Sequence, residues 1–240
     1  MTYKQIQQNV VAKGKTRLGK NTYTQGTNRT KVASGWSDCS SFARWCWKEI
    51  ANIDIGANTA TQIGSKQLIT IQTASGSRYP NVAKLELGDL IYFKGNKNNP
   101  QQVGHVEVIS KVGKTIGECQ CIGHGSGKGP TTKNLKSYCD SRAGTRGYLA
   151  IRRPKIIEDM KKQISAPTNP TEVQKGAPKV TVTGNNVYVR ILPDAAAPSL
   201  GITKKGNTFT YNGKVSGTWY NILYNNKSAW ISAKYTKLEE

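Results

Sequence analysis

The chain is short of acidic residues, of histidine and of long apolar runs, and each shortage narrows the reading. Fourteen Asp and Glu stand against 35 Lys and Arg, a formal net charge of +21. An excess of that size points to a polyanionic partner. No apolar run approaches the roughly 20 residues that cross a bilayer, and Met1-Thr-Tyr-Lys-Gln-Ile-Gln-Gln lacks the apolar centre of an export signal. The expectation is therefore a protein without membrane insertion and without a signal peptide. Only His105 and His124 offer imidazole chemistry. Cys39, Cys46, Cys119, Cys121 and Cys139 are an odd number in a chain too long to need staples, so a complete disulfide framework is not expected and at least one thiol stays free.

What is present is enough to fold. The 240 residues are 36% hydrophobic, with 24 Gly and 9 Pro, which is polar but not disordered, and the length suits one large domain or two small ones. Four of the nine prolines fall between Pro154 and Pro178, a linker-like stretch in which a short helix at 155–164 is stopped by Pro167, Pro170 and Pro178. The expected division is a domain at 1–153, a linker at 154–178 and a second domain at 179–240. Residues 1–153 hold 23 basic and 8 acidic side chains and the remainder 12 and 6, so both parts can sit on one anionic surface. No internal repeat is present.

In the first part Tyr3 to Ala12 reads as a short helix and 18–35 as loop. Cys39, Phe42, Ala43, Cys46, Trp47 and Ile50 form the apolar stripe of a helix that Ser37 or Asp38 can cap. Strands are expected at 89–94, 105–110 and 115–122, with a turn at 111–114. After the linker, short strand-like runs at 179–183, 187–191, 209–211, 219–224 and 229–232, separated by Gly, Asn, Pro and Asp, indicate a small all-β barrel.

Cys39 stands at the first turn of its helix, where unpaired N–H groups and the helix dipole favour a thiolate. The same residue on an apolar stripe also reads as plain core, as Cys46 does. A thiol nucleophile needs a base, and His105 opens a strand that can bring its ring to that helix end. A third polar group then orients the imidazole. If the turn centres near Val112 and Gly113, the residue opposite His105 lies near Gln120, which leaves Glu118 and His124 both within reach. Cys119, Cys121, His124 and Cys139 are zinc-ligand types without the usual spacing, and Gly123 to Gly129 does not satisfy a phosphate-loop pattern, so neither metal nor other cofactor is expected.

In order, Asp38-Cys39-Ser40-Ser41-Phe42, then Leu87-Gly88-Asp89-Leu90-Ile91-Tyr92-Phe93, then Gly104-His105-Val106-Glu107-Val108-Ile109 resemble the NlpC/P60 family and the related CHAP group, papain-like cysteine peptidases and amidases that cut bacterial peptidoglycan. The resemblance covers about the first 150 residues. It implies an α+β fold, with N-terminal helices and an antiparallel sheet, and it implies Cys39 as nucleophile and His105 as base. A polar residue on the next strand would orient the base, and here that is His124, with Glu118 as the alternative. Tyr23 matches a tyrosine that lines the family's site, and Asp38 and Glu107 are expected beside the substrate. The family often reads His-Val-Gly-Ile, whereas Glu107 stands two residues after His105, on the same side of the strand, where it can orient the base, bind substrate or stand as a solvated strand carboxylate.

Asn186-Val-Tyr-Val-Arg190, Leu200 to Gly206, Gly217 to Ile222 and Ser228 to Tyr235 resemble a bacterial SH3 (SH3b) domain over residues 179–238. That resemblance implies binding of wall peptide or glycan, while Trp219, Tyr220 and Trp230 also read as the filling of a small core. Taken together, the two halves resemble a phage or prophage endolysin. The expectations are a monomer made in a bacterial cytoplasm and released to the wall through holin lesions, or acting outside the cell. It would cleave a wall amide by acyl transfer, as a γ-D-glutamyl endopeptidase or as an N-acetylmuramoyl-L-alanine amidase. Teichoic acids would attract its positive charge. A non-catalytic wall binder is the rival reading, and no motif for specific nucleic-acid recognition is present.

Overall fold

The computed structural model describes residues 1–240 apart from 96–101, 128, 166–177, 196, 226 and 240. The chain divides into two compact units, one of residues 2–155 and one of 156–240 together with Met1.

The first unit opens with α1 (Tyr3–Lys15), whose start is fixed by reciprocal capping between Thr2 and Gln5 and whose buried Ile6, Val10, Val11 and Gly14 share one side. Two short parallel strands follow, β1 (Thr22–Tyr23) inside the expected loop and β2 (Trp36–Ser37) just after it. Then comes α2 (Cys39–Ala51), with Asp38 as N-cap and Asn52 closing it in the left-handed conformation. The helix thus starts where its apolar stripe and cap residue place it. After α3 (Thr59–Ile63) come β3 (Leu68–Thr73), β4 (Leu90–Lys94), β5 (Val103–Lys111), β6 (Gln120–Gly123), β7 (Thr131–Asn134), α4 (Leu135–Ser141) and β8 (Tyr148–Pro154).

Six of these strands form an antiparallel sheet in the order β3-β8-β4-β5-β6-β7. Along β5, His105, Glu107 and Ile109 project to one face and Val106 and Val108 to the other. On the first face Ile91, Phe93, Ile109, Cys121 and Ile151 pack with Leu135 and Cys139 of α4. On the second, Gly14 of α1 lies against Phe42 and Cys46 of α2 and against Ile122 of β6.

The Leu-Gly-Asp motif is a joint between α2 and the sheet. Gly88 takes φ +82° under Trp47, where a Cβ would stand 2.8 Å from the indole, and Trp47 Nε1 donates to the Gly88 carbonyl at 3.1 Å. Beside it the buried Asp89 accepts from Arg153 Nε at 2.7 Å and Nη2 at 2.8 Å. A buried carboxylate is tolerated only when paired in this way.

The turn between β5 and β6 differs from expectation. A 3-10 turn at Ile116–Glu118 occupies the start of the expected strand, so β6 begins at Gln120 and Gln120 pairs with Lys111 rather than lying near His105. Val108 pairs with Ile122, which brings Gly123 alongside Glu107.

In the second unit α5 (Lys155–Ser165) takes up the first part of the expected linker, with Ile157 and Met160 buried. Most of the rest of that stretch lies outside the described residues. Seven strands follow: β9 (Lys179–Val182), β10 (Val187–Arg190), β11 (Ser199–Thr203), β12 (Thr208–Ser216), β13 (Trp219–Tyr224), β14 (Lys227–Ser232) and β15 (Thr236–Glu239). They form one sheet in the order β11-β10-β14-β13-β12-β9-β15, and among the described residues its two end strands are not paired to each other, so the expected barrel is not a closed one. Strand β12 pairs β9 through 208–210 and pairs β13 on both sides of an irregularity between Tyr211 and Val215, which bends it. The core is aliphatic: Val180, Val182, Val187, Val189, Ile222, Ala229 and Ile231. Trp219, Tyr220 and Trp230 are only half-buried, contrary to the reading that made them the core.

Candidate active site

Cys39 is the first residue of α2 and is 6% exposed. Its position follows from the cap: Asp38 Oδ1 accepts from the Ser41 amide at 2.7 Å and from Ser40 Oγ at 2.9 Å, and its Oδ2 is 2.6 Å from Arg29 Nε. Both oxygens of Asp38 are thus engaged in building the helix start.

Burial pushes the Cys39 thiol up to about 11, the Asp38 charge adds to the rise, and the backbone amides of Val106 and Ser40 facing the sulfur oppose it. Val106 is next in the chain to His105, so α2 delivers the sulfur to the start of β5. Among the described residues no hydrogen bond joins Cys39 Sγ to an imidazole.

His105, 6% exposed, is held between Phe93 and Tyr138, with ring centroids 6.3 and 6.0 Å away. Its Nε2 is 2.7 Å from Glu107 Oε1. Burial lowers the basicity of His105 below its ordinary value, the Glu107 carboxylate opposes the drop, and the positive charges of Arg142 and Lys133 add to it. Glu107 is fully buried. Burial alone would raise its pKa, but the hydrogen bond and charge of His105 and the charge of Lys133 hold it below the usual carboxylate range.

Room for this carboxylate comes from Gly123 on the neighbouring strand: a Cβ there would lie 2.6 Å from Glu107 Oε2. The resemblance implied a polar orienting residue on β6 or just after it. The structure instead places the polar group on β5 itself and a glycine across from it.

His124 turns elsewhere. Its Nδ1 is 2.7 Å from Ser37 Oγ, a hydroxyl that also accepts from Asn21 Nδ2 at 3.0 Å, and its ring meets Tyr23 edge-on at 5.2 Å. Among the described residues its Nε2 is buried without a hydrogen-bond partner of normal geometry, while the Gly127 backbone beside the ring opposes the burial that lowers its basicity. The other candidate, Glu118, caps the 3-10 turn by accepting from the Lys114 and Thr115 amides at 2.6 and 3.1 Å. Neither is hydrogen-bonded to His105; the turn that draws Glu118 into its own cap and the alternation that sends His124 toward Ser37 are the reasons. Tyr23 does lie near the thiol: burial, then the charges of Cys39 and Asp38, raise its pKa, and its hydroxyl accepts from Gln25 at 3.3 Å.

Residues the sequence reading did not single out complete the surroundings. Lys133 on β7 places Nζ 2.9 Å from each Glu107 oxygen and 3.2 Å from the Gly123 carbonyl. Arg142 lies over Phe93 and Tyr138, 5.1 Å from each ring. Gln62, fully buried, donates to the Ser40 carbonyl at 2.9 Å and steadies the first turn of α2. One signal for this pocket lay in the sequence, the glutamate two residues after His105 where small residues are usual. Nothing local marked Lys133, which is 26 residues from its partner.

Cys119, Cys121 and Cys139 are buried with the apolar side chains under α4 while His124 is at Ser37, so the four weighed zinc ligands do not converge. Among the described residues no group of three or more His, Cys, Asp or Glu side chains is arranged to hold a metal ion. No described helix is long and apolar enough to cross a membrane. On the second unit a groove of about 360 Å³ is lined by Asn186, Tyr188, Arg190, Trp219 and Tyr235 among others.

Residues 28–123 match the model of the CHAP domain, and residues 185–237 match that of a bacterial SH3 domain. None of the curated protein sequences matches the chain. Among solved structures it is similar to NlpC1 from Trichomonas vaginalis, at 22% identity and a TM-score of 0.45, over 64% of this chain and 48% of the other, so it spans about half the length of that protein. It is similar to the NlpC/p60 domain of peptidoglycan hydrolase SagA, at 19% identity and TM-score 0.39, over 60% and 97% of the two chains. It is also similar to Ly7917 solved with the hydrolyzing product of MDP, at 14% identity and TM-score 0.38, over 100% and 99%.

Proposed function

We propose, from the premise that the chain carries a CHAP domain joined to a bacterial SH3 domain, that it is a cysteine-type peptidoglycan hydrolase in which Cys39, His105 and Glu107 perform acyl transfer on a wall amide. The observation that carries this reading is the junction of α2 and β5, where the Val106 amide faces the Cys39 sulfur while the adjacent His105 bonds Glu107 through Nε2.

The chemistry follows from which atoms are engaged. With Nε2 donating to Glu107, the imidazole carries its proton there and leaves Nδ1 as the free base. Burial keeps both thiol and imidazole neutral at rest, so the Cys39 proton moves to Nδ1 as the sulfur attacks the substrate carbonyl. The oxyanion formed draws on unpaired N–H groups at the start of α2. His105 then protonates the leaving amine, and a water activated by the same imidazole hydrolyses the thioester. Tyr23, half-buried beside the thiol, and the exposed Trp36 on the neighbouring strand suit a wall for the substrate peptide.

The bond we favour is the γ-D-glutamyl linkage of the stem peptide; the N-acetylmuramoyl-L-alanine amide is the alternative, since the same residues hydrolyse either. The aromatic groove of the second unit is the proposed contact with the wall, which raises the local concentration of an insoluble substrate. Net charge +21 supports attraction to teichoic acids with a strong salt dependence. An endolysin made in a host cytoplasm, or an extracellular lysin, is the setting that fits this pairing.

The test is turbidity loss of purified Gram-positive peptidoglycan by the wild type and by Cys39→Ala, with mass spectrometry of the soluble fragments. Clearing by the wild type alone supports the reading, and the new termini name the bond. Wall binding by both without clearing by either replaces it with the non-catalytic binder.

A further inference from the structure

We propose that Lys133 is a positioning residue of this site, clamping the Glu107 carboxylate so that one oxygen stays on His105 Nε2. The inference rests on the assignment of His105 as base and adds the element that holds its partner in place.

Three observations converge on Lys133. Its Nζ is equidistant from the two Glu107 oxygens, at 2.9 Å each, which fixes the carboxylate plane as a single-point contact would not. The Gly123 carbonyl at 3.2 Å and the Thr131 carbonyl at 3.5 Å anchor the ammonium from its own side of the sheet. The Tyr138 ring, 5.1 Å from Nζ, closes the remaining side and also meets the imidazole. The lysine is joined to the sheet through the pairing of Lys133 with Cys121, so β7 delivers it as an edge-strand side chain to a carboxylate two strands away.

The requirement is electrostatic. A fully buried carboxylate without a cation either takes up a proton or pulls the imidazole into its charged form. Either outcome removes the neutral, Nδ1-basic imidazole that the thiol needs. Lys133 neutralises Glu107 without competing for Nε2, since its bonds run to the carboxylate and to backbone carbonyls. The other groups facing His105 are the Arg142 guanidinium, which also disfavours the imidazolium, and the Tyr138 phenol of α4. Lys133 is the one among them that is also bonded to the Glu107 carboxylate.

The experiment uses the full chain. Because it has two histidines, ¹³C-labelled imidazoles give two resonances, assigned with His124→Asn, and their titration is followed in the wild type, Lys133→Met, Lys133→Arg and Glu107→Gln. Loss of the ammonium is expected to raise the His105 midpoint by about one pH unit, with Lys133→Arg within a few tenths of the wild type. On wall fragments, Lys133→Met is expected to lower kcat about tenfold or more with KM within about twofold, and to lower it no further in the Glu107→Gln background. An unmoved midpoint, a loss confined to KM, or losses that multiply in the double variant would overturn the proposal. The titration needs no turnover, so a chain that cuts no wall at all would sink the functional reading while leaving this one testable. If Lys133→Met does not fold, Lys133→Gln carries the same titration, with Lys133→Arg as its charge-retaining control.

Discussion

The surroundings of the two imidazoles differ in kind. His105 lies within a strand, meets a carboxylate that is itself clamped by an ammonium, and is walled by two aromatic rings. His124 lies just past the end of a strand and meets a hydroxyl through Nδ1, with the Gly127 backbone as a further polar neighbour and, among the described residues, no carboxylate bonded to it. A base in acyl transfer must be held in one tautomer and must have its imidazolium stabilised as it forms, and a carboxylate does both where a serine hydroxyl does neither. The lesson is that strand parity, more than proximity in sequence, decides which histidine meets a buried carboxylate. The Tyr23 to Ser37 neighbourhood of His124 then reads as part of the scaffold that carries Cys39.

The strongest way to break this contrast is to remove the base. His105→Ala is expected to lower kcat on peptidoglycan fragments by roughly 10²–10⁴-fold; retention of more than a tenth of the activity would remove His105 from the mechanism. Next comes Gly123→Ala, which puts a methyl 2.6 Å from Glu107 Oε2. Displacing the carboxylate should lower kcat about tenfold or more, and crowding the pocket should cost about 1–3 kcal/mol of stability, read by thermal or urea unfolding.

The pH dependence sharpens the same point. Because His105 and Glu107 both bind protons less readily folded than unfolded, stability falls as pH drops, first below about 6.5 through His105 and again below about 4.5 through Glu107. The acid limb of kcat/KM should likewise lie below about 6.5, and Glu107→Gln should move it lower still, since the carboxylate is what raises the imidazole's basicity. A limb that moves upward in that variant contradicts the pairing. Gly88→Ala supplies a control distant from both imidazoles. At φ +82° and 2.8 Å from Trp47 it should destabilise by about 2 kcal/mol with kcat unchanged at temperatures where the variant is folded. The smallest effect belongs to Ser37→Ala, which removes the partner of His124 Nδ1 and is expected to change kcat by less than about threefold, under 1 kcal/mol.

Much of this was legible in the sequence, and the exceptions have a common cause. Helix α2 and its cap were readable because a 3.6-residue stripe and an N-cap are local signals, and so was β4, whose apolar run follows a glycine turn. The strands β3, β7 and β8 and the helix α4 were not anticipated, since their residues, such as Thr131-Thr-Lys-Asn134, carry little pattern and owe their structure to partners far along the chain. The residue bonded to His105 differs from the expected one for a related reason. Its position depends on the β5–β6 register, and a 3-10 turn that captures Glu118 shifts that register by several residues. Glu107 was seen, two residues from His105, but its burial and its ammonium partner come from Gly123 and Lys133, which only the folded sheet brings together. In the second unit the strand rhythm was legible, whereas the filling of the core by valine and isoleucine instead of by tryptophan was not, because half-buried and fully buried aromatics look alike in one sequence.

The most direct test of the account is to measure hydrolysis of purified peptidoglycan fragments by Glu107→Gln and His124→Asn side by side. The account predicts that Glu107→Gln loses roughly 10²–10⁴ in kcat, because an amide at Nε2 favours the wrong tautomer, while His124→Asn stays within about tenfold of the wild type. A collapse of His124→Asn with Glu107→Gln near wild-type activity would contradict it and return the orienting role to His124.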